Sequence, residues 1–160
     1  MEINNNQEVP EISEKAFDDV SQSFLDENTD KAIREANKEA IEEAKSKKNR
    51  EAQLKLAKIS KDDVWTTRRE AWRLCNETKD IKNDYYVNAL NSDLQEAEHI
   101  NMLLDDLINE LTDSDTKKAK TWSKYSEKYD KISDLSLTLY NVAERMENNI
   151  KRVKSMLSTK

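Results

Sequence analysis

Residues 122–157, WSKYSEKYDKISDLSLTLYNVAERMENNIKRVKSML, carry the clearest structural signal in the chain. Apolar and small side chains recur there at alternating spacings of three and four residues over about five heptads. This spacing places them along one side of an α-helix. The positions are Trp122, Tyr125, Tyr129, Ile132, Ser136, Leu139, Ala143, Met146, Ile150, Val153 and Leu157. The segment therefore predicts a long helix with a coiled-coil seam.

A second seam with the same spacing precedes the first. Its members are Leu90, Leu94, Ala97, Asn101, Leu104, Ile108 and Leu111. Between the seams, Asp113, Ser114 and Asp115 indicate a short turn and a helix cap. A short turn makes consecutive helices antiparallel, so we expect residues whose numbers sum to about 228 to lie level with each other. Lys128 would then lie near Ile100.

The charges of the two segments are complementary. Residues 61–112 hold 6 basic and 12 acidic side chains, whereas residues 113–160 hold 11 and 7. An exposed ion pair contributes only ~0–1 kcal/mol to stability. The charges therefore favour one partner and one register more than they stabilise the fold.

The composition excludes several classes of protein. The 160 residues include no glycine and one proline, 38% are charged, and the net charge is -6. Without glycine there is no phosphate-binding loop, dinucleotide-binding fingerprint or nucleophile elbow, and the hairpin turns of sheet proteins are disfavoured. We expect an all-α fold, an elongated antiparallel three-layer helical bundle built around a coiled-coil hairpin.

Cap residues and apolar spacing define the expected organisation. Residues 1–10, MEINNNQEVP, are polar and predict a disordered N-terminal arm. Residues 11–160 are expected to form a single bundle, with joints near Asn28, Ser60 and Ser114. Polar residues also mark weak helical stretches at 45–51 and 76–83. The expected helices cover residues 11–26, 30–59, 61–112 and 116–157.

A short aromatic and basic motif lies at residues 65–73, WTTRREAWR. Trp65 and Trp72 are two helical turns apart on one face, with Arg68 and Arg69 between them. We favour the interpretation that both tryptophans cap the core of the bundle. The second interpretation is a partner-binding surface, and the third is a surface that stacks nucleic-acid bases.

A basic stripe follows the start of the last helix, beside Trp122, Tyr125 and Tyr129. Its members are Lys117, Lys120, Lys124, Lys128 and Lys131. We expect these lysines to pair with the acidic face of the preceding helix. Contact with nucleic acid or lipid headgroups is the alternative, in which Lys124 and Lys128 bind the partner.

No arrangement of residues points to catalysis. Cys75 and His99 are the only cysteine and histidine, and on one helix they would be ~36 Å apart. The Glu-x-x-His spacing of di-iron bundles occurs once, at Glu96 and His99, and a di-iron site needs it on two facing helices. We therefore expect no enzyme activity, no cofactor and no bound metal.

The sequence has no apolar run of the ~20 residues that span a bilayer and no secretory signal. The negative net charge opposes binding to nucleic acid or to anionic membranes. We expect a cytoplasmic protein that binds other proteins.

The function predicted from these observations is that of a non-enzymatic interaction protein, a subunit, adaptor or scaffold acting through coiled-coil and helix-face contacts. Self-association is left open, because Asn101 and Ser136 are polar interruptions of the kind that set register. One alternative is a small acidic chaperone or cargo of a signal-independent secretion system. The other is a nucleic-acid binder that uses the Lys117–Lys131 stripe.

Overall fold

The computed structural model describes the backbone of residues 19–112 and 122–159, and the side chains of residues 31–112 and 125–159. This part of the chain is all-helical, which confirms the predicted class. The expected arm at residues 1–10 and the turn at residues 113–115 lie outside the described residues. The four helices are α1 (Asp19–Ser46), α2 (Arg50–Glu77), α3 (Tyr85–Thr112) and α4 (Trp122–Ser158).

The first joint between described helices lies at residues 47–49, so the joint predicted near Ser60 was wrong. Lys48 has a φ of 54°, and the Asn49 side chain accepts a hydrogen bond from the backbone N–H of Ala52. Ser60 lies inside α2, is 0% exposed, and donates its hydroxyl to the Ala57 carbonyl at 2.7 Å. A serine can satisfy its hydroxyl within a helix as well as cap one, and here burial selects the helix.

The joint predicted near Asn28 was also wrong, because α1 continues through that residue. The prediction rested on Asn28 and Thr29 as cap residues. Such residues lower helix propensity by less than about 0.7 kcal/mol each, so they permit a helix end without imposing one.

The expected third helix, residues 61–112, is interrupted at residues 78–84. The Thr78 hydroxyl donates to the Leu74 carbonyl at 2.8 Å and helps to end α2. The Asp84 carboxylate accepts from the backbone N–H groups of Tyr86 and Val87, at 2.9 and 3.0 Å, and begins α3. The stretch predicted to be weakly helical, residues 76–83, therefore contains the end of α2 and most of the connection to α3.

Contacts within the chain divide it into two units, residues 1–36 and 37–160. In the first unit the described side chains are those of residues 31–36, among which Ile33 is exposed. The second unit contains the end of α1 and all of α2, α3 and α4. The single bundle expected over residues 11–160 stays a prediction.

The core of the second unit contains large apolar side chains of α3 and α4. From the two seams of the sequence, the buried large apolar residues are Leu90, Leu94, Leu104, Ile108, Leu111, Ile132, Leu139, Met146, Ile150 and Val153, and the small seam residues Ala97, Ser136 and Ala143 are buried as well. Tyr125, Tyr129 and Leu157 are half-buried against this core. The Trp122 side chain lies outside the described residues.

α2 adds a buried strip that the sequence analysis missed. Its members follow one another at spacings of four and three residues and are mostly small or polar. They are Gln53, Ala57, Ser60, Val64, Thr67, Ala71 and Leu74. Small side chains on a helix face allow a neighbouring helix to approach closely.

Pairs between α3 and α4 reveal a different register from the predicted one. Glu96 accepts from Arg145 at 2.7 Å, and Asp93 accepts from Asn149 at 2.9 Å. The numbers of such pairs sum to about 240 instead of 228, so Lys128 pairs with Glu110 and does not lie near Ile100. α4 begins at Trp122, several residues after the predicted start at residue 116, and this later start shifts the pairing in the observed direction.

Candidate partner-binding surface

Trp65 and Trp72 lie on the surface of α2. Each follows a residue of the buried strip, Val64 or Ala71, by one position, and one position turns a helix by about 100°. The rotation carries both indoles off the buried face, so Trp65 is 53% exposed and Trp72 is 62% exposed. The interpretation that these tryptophans cap the core was therefore wrong.

The two tryptophans border an open groove between α2 and α3. The groove has a volume of about 320 Å³ and is lined by Trp65, Arg68, Arg69, Trp72 and Glu98. The Arg68 guanidinium donates to the Glu98 carboxylate at 2.7 Å and lies over the Trp65 ring, 5.7 Å from its centroid. Arg68 thus connects the two helices and holds one indole in place.

Arg69 has a different environment. It is exposed, and it makes no ion pair with any residue in the described part of the chain. Together with Trp72 it also lines a second groove, of about 420 Å³, whose other lining residues are Thr66, Glu70 and Arg73. Arg69 is therefore a cation that solvent or a partner can reach from either groove.

The acidic residue of the second groove is already paired. Glu70 accepts hydrogen bonds from Lys154 at 2.9 Å and from Arg73 at 2.5 Å. The Lys154 hydrogen bond, followed by the Arg73 contact, lowers the pKa of Glu70 although burial opposes the shift. Arg73 also donates to Glu77 at 2.8 Å. The charges of Glu70 and Arg73 are thus compensated within the protein.

The basic stripe is described only in part. Lys128 pairs with Glu110 of α3, and its ammonium lies 5.4 Å from the centroid of the Tyr125 ring. Lys131 is exposed. The side chains of Lys117, Lys120 and Lys124 lie outside the described residues. The ion pair of Lys128 therefore joins the stripe to an acidic residue of α3, as the charge pattern predicts.

Met102, an exposed apolar side chain that the sequence analysis did not single out, lies one turn after Glu98 on α3 and is 55% exposed. Tyr85, at the start of α3, is 76% exposed and contacts Tyr86 edge to face.

Cys75 lies on α2 and His99 lies on α3, so the expectation that one continuous helix keeps them ~36 Å apart was wrong. In the described residues no group of three or more His, Cys, Asp or Glu side chains could hold a metal ion. Burial raises the pKa of the Cys75 thiol, which favours its protonated form. None of the described helices is both long enough and apolar enough to cross a membrane. The cytoplasmic location and the lack of enzyme activity stay predictions.

Comparisons of the chain with protein-family models, with curated proteins and with solved structures find no match.

Proposed function

We propose that the protein is a non-enzymatic interaction protein, a subunit, adaptor or scaffold that binds a protein partner through Trp65, Arg68, Arg69 and Trp72. One observation carries the proposal: two tryptophans on one helix face are each more than half exposed, at 53% and 62%, and they border a groove. Large exposed apolar side chains that cluster beside a groove are typical of interaction sites.

The residue types favour protein binding energetically. Tryptophan and arginine are the side chains most enriched among the residues that dominate binding energy at protein interfaces. The contact between Arg68 and Trp65 restricts both side chains before a partner arrives, which reduces the entropy lost on binding. The groove therefore combines apolar area with a restricted side-chain arrangement.

We further propose that the packed helices form an antiparallel three-layer bundle in which α3 and α4 are the coiled-coil hairpin. The pairs Glu96–Arg145 and Asp93–Asn149, whose numbers rise on one helix and fall on the other, support this arrangement. Lys61 pairs with Asp105, and Arg68 with Glu98, so α2 and α3 are related in the same way. Such a bundle would hold Trp65, Arg68, Arg69 and Trp72 on a rigid scaffold.

The test is affinity capture from the native source with three versions of the protein. These are the unmodified chain, the double variant Trp65→Ala/Trp72→Ala, and the control Tyr85→Ala, which removes an exposed aromatic ring elsewhere. Circular dichroism verifies that all three fold. We expect the unmodified chain and the control to retain the same partner and the double variant to lose it. A strictly monomeric protein that captures no partner in any version would overturn the proposal.

A further inference from the structure

We infer that the groove between Trp65 and Trp72 binds an amphipathic helix of a partner protein, with an Asp or Glu carboxylate of that helix on Arg69 and apolar side chains on the two indoles. The inference rests on the proposed function and adds the chemical class of the partner. Its basis is the spacing of the tryptophans, the charge at Arg69 and the way in which α1 packs.

The tryptophan spacing fits a helical ligand. Trp65 and Trp72 are separated by seven residues, which is ~10.5 Å along α2 at 1.5 Å per residue. A partner helix that lies along the groove repeats its own side chains at the same interval, so two apolar residues seven positions apart would each meet one indole. Residues between them would then face Arg69. Helix-in-groove recognition uses anchors at this spacing.

The charge in the groove selects the central side chain of that ligand. Glu98, which lines the groove, is paired with Arg68, and Glu70 beside Trp72 is paired with Lys154 and Arg73. Arg69 makes no ion pair with a described residue, and its guanidinium can hold a carboxylate through two parallel hydrogen bonds. The groove thus has one uncompensated positive charge between two apolar surfaces.

The packing of α1 shows that α2 accepts a helix on another side. Asn37 of α1 donates to Asp63 of α2 at 2.7 Å and to Tyr140 of α4 at 3.1 Å, and Ile41 is 1% exposed. No described helix covers the groove between α2 and α3, where both tryptophans are exposed. A helix of the partner would lie beside α2 in that groove, on a different side of α2 from the end of α1.

A second copy of the chain fits the groove less well than an acidic helix. Two copies joined by a two-fold axis at Arg69 would bring two guanidinium groups together, and like charges at an interface oppose binding. An Asp or Glu at the same place is attracted. The charge of Arg69 therefore favours a different, acidic partner.

The experiment selects ligands from a displayed library of helical peptides whose exposed face is randomised. The targets are the full unmodified chain, Trp65→Ala/Trp72→Ala, Arg69→Glu, and the control Lys79→Glu, which reverses an exposed charge in the connection between α2 and α3. We expect tryptophan-dependent peptides to carry Asp or Glu between two apolar residues seven apart. Arg69→Glu should select Lys or Arg at that position, and Lys79→Glu should behave like the unmodified chain.

The strongest peptide is then synthesised with Glu or with Gln at the central position. We expect the Glu form to bind the unmodified chain about tenfold more tightly than the Gln form, and Arg69→Glu to remove this preference. Tryptophan-dependent peptides with no acidic preference would overturn the inference and leave the proposed function standing. Without any tryptophan-dependent peptide, the inference would fall, and the affinity capture would still decide the proposed function.

Two further measurements test the other possible occupants of the groove, which are a second copy of the chain and a nucleic acid. Sedimentation of the unmodified chain and of Trp65→Ala/Trp72→Ala tests for a dimer, and a tryptophan-dependent dimer would assign the groove to a second copy. A single-stranded oligonucleotide that binds the unmodified chain more tightly than the Glu peptide, and loses binding with Arg69→Glu, would assign it to nucleic acid. Either result would overturn the inference that an acidic helix binds the groove.

Discussion

Gln53 illustrates how one buried polar side chain joins two helices. It is 1% exposed, and its amide nitrogen donates to the Ser133 hydroxyl at 2.9 Å and to the Tyr129 carbonyl at 3.2 Å. Its amide oxygen accepts from the Arg50 guanidinium at 2.7 Å. Both ends of the amide are therefore satisfied, and Gln53 fixes how the start of α2 lies against α4.

Replacing Gln53 with alanine should lower the free energy of unfolding by about 2–4 kcal/mol, because it leaves a cavity and removes the partner of the buried Ser133 hydroxyl. Urea unfolding followed by circular dichroism measures the change. The control is Gln95→Ala, at an exposed position of α3, where we expect a change within about 0.5 kcal/mol. Equal losses at the two positions would mean that the Gln53 contacts contribute nothing.

At the scale of helices, the seams of α3 and α4 were predictable and the strip of α2 was not. Leu104, Leu139 and their neighbours are large and apolar, so their spacing is visible in the sequence. In α2 the same spacing is occupied by residues such as Ala57 and Thr67, whose burial depends on the helix that packs against them. Neither helix propensity nor hydropathy identifies such a strip in the sequence.

Because the buried strip of α2 was not predicted, the exposure of the tryptophans at the candidate surface was not predicted either. The sequence alone identified Trp65, Arg68, Arg69 and Trp72 as a group, because aromatic and arginine residues at this spacing share a face. Whether that face is buried depends on how α2 is rotated about its own axis. Once Val64 is known to face inward, Trp65 must turn away from the core. The members of the surface were predictable, and their exposure required the tertiary structure.

The joint between α1 and α2 places a lysine in a backbone conformation that favours glycine. Lys48 adopts a φ of 54°, in the left-handed region, where a side chain costs roughly 1–2 kcal/mol and glycine costs little. We expect Lys48→Gly to raise the free energy of unfolding by about 0.5–1 kcal/mol. The comparison is Lys55→Gly, at an exposed site inside α2, which should lower it by about 1 kcal/mol. Urea unfolding measures both, and the same sign for both would contradict the assignment.

At the scale of the second unit, ion pairs connect α4 to α2 and to α3. Glu70 pairs with Lys154, Asp130 with Arg50, and Glu96 with Arg145. Burial opposes the ionisation of Asp130, but hydrogen bonds from Arg50 and Gln53 outweigh it and lower the pKa of Asp130. Carboxylates with lowered pKa values in the folded state make stability depend on pH.

Glu70 gives the test of this dependence. Because its pKa is lower in the folded state, the carboxylate stabilises the fold above its ordinary value of 4.5, and the contribution is lost as the pH falls through the folded pKa. We expect Glu70→Gln to be less stable than the unmodified chain by about 0.5–1 kcal/mol at pH 7. The difference should disappear in acid.

Urea unfolding at a series of pH values checks this expectation. The matched control is Glu42→Gln, at an exposed position of α1, for which we expect a change within about 0.5 kcal/mol at pH 7. A Glu70→Gln difference that stays constant into acid would show that the Lys154 and Arg73 contacts do not act through the charge of the carboxylate.

The exposure of Trp65 and Trp72 has a spectroscopic consequence. Because both indoles are already more than half in contact with water in the folded chain, unfolding changes their surroundings little, and their emission should shift only slightly when the protein denatures. A ligand that covers the groove would move the same indoles into an apolar environment and shift their emission to the blue. The emission of Trp65 and Trp72 should therefore report occupancy of the surface more strongly than loss of the fold.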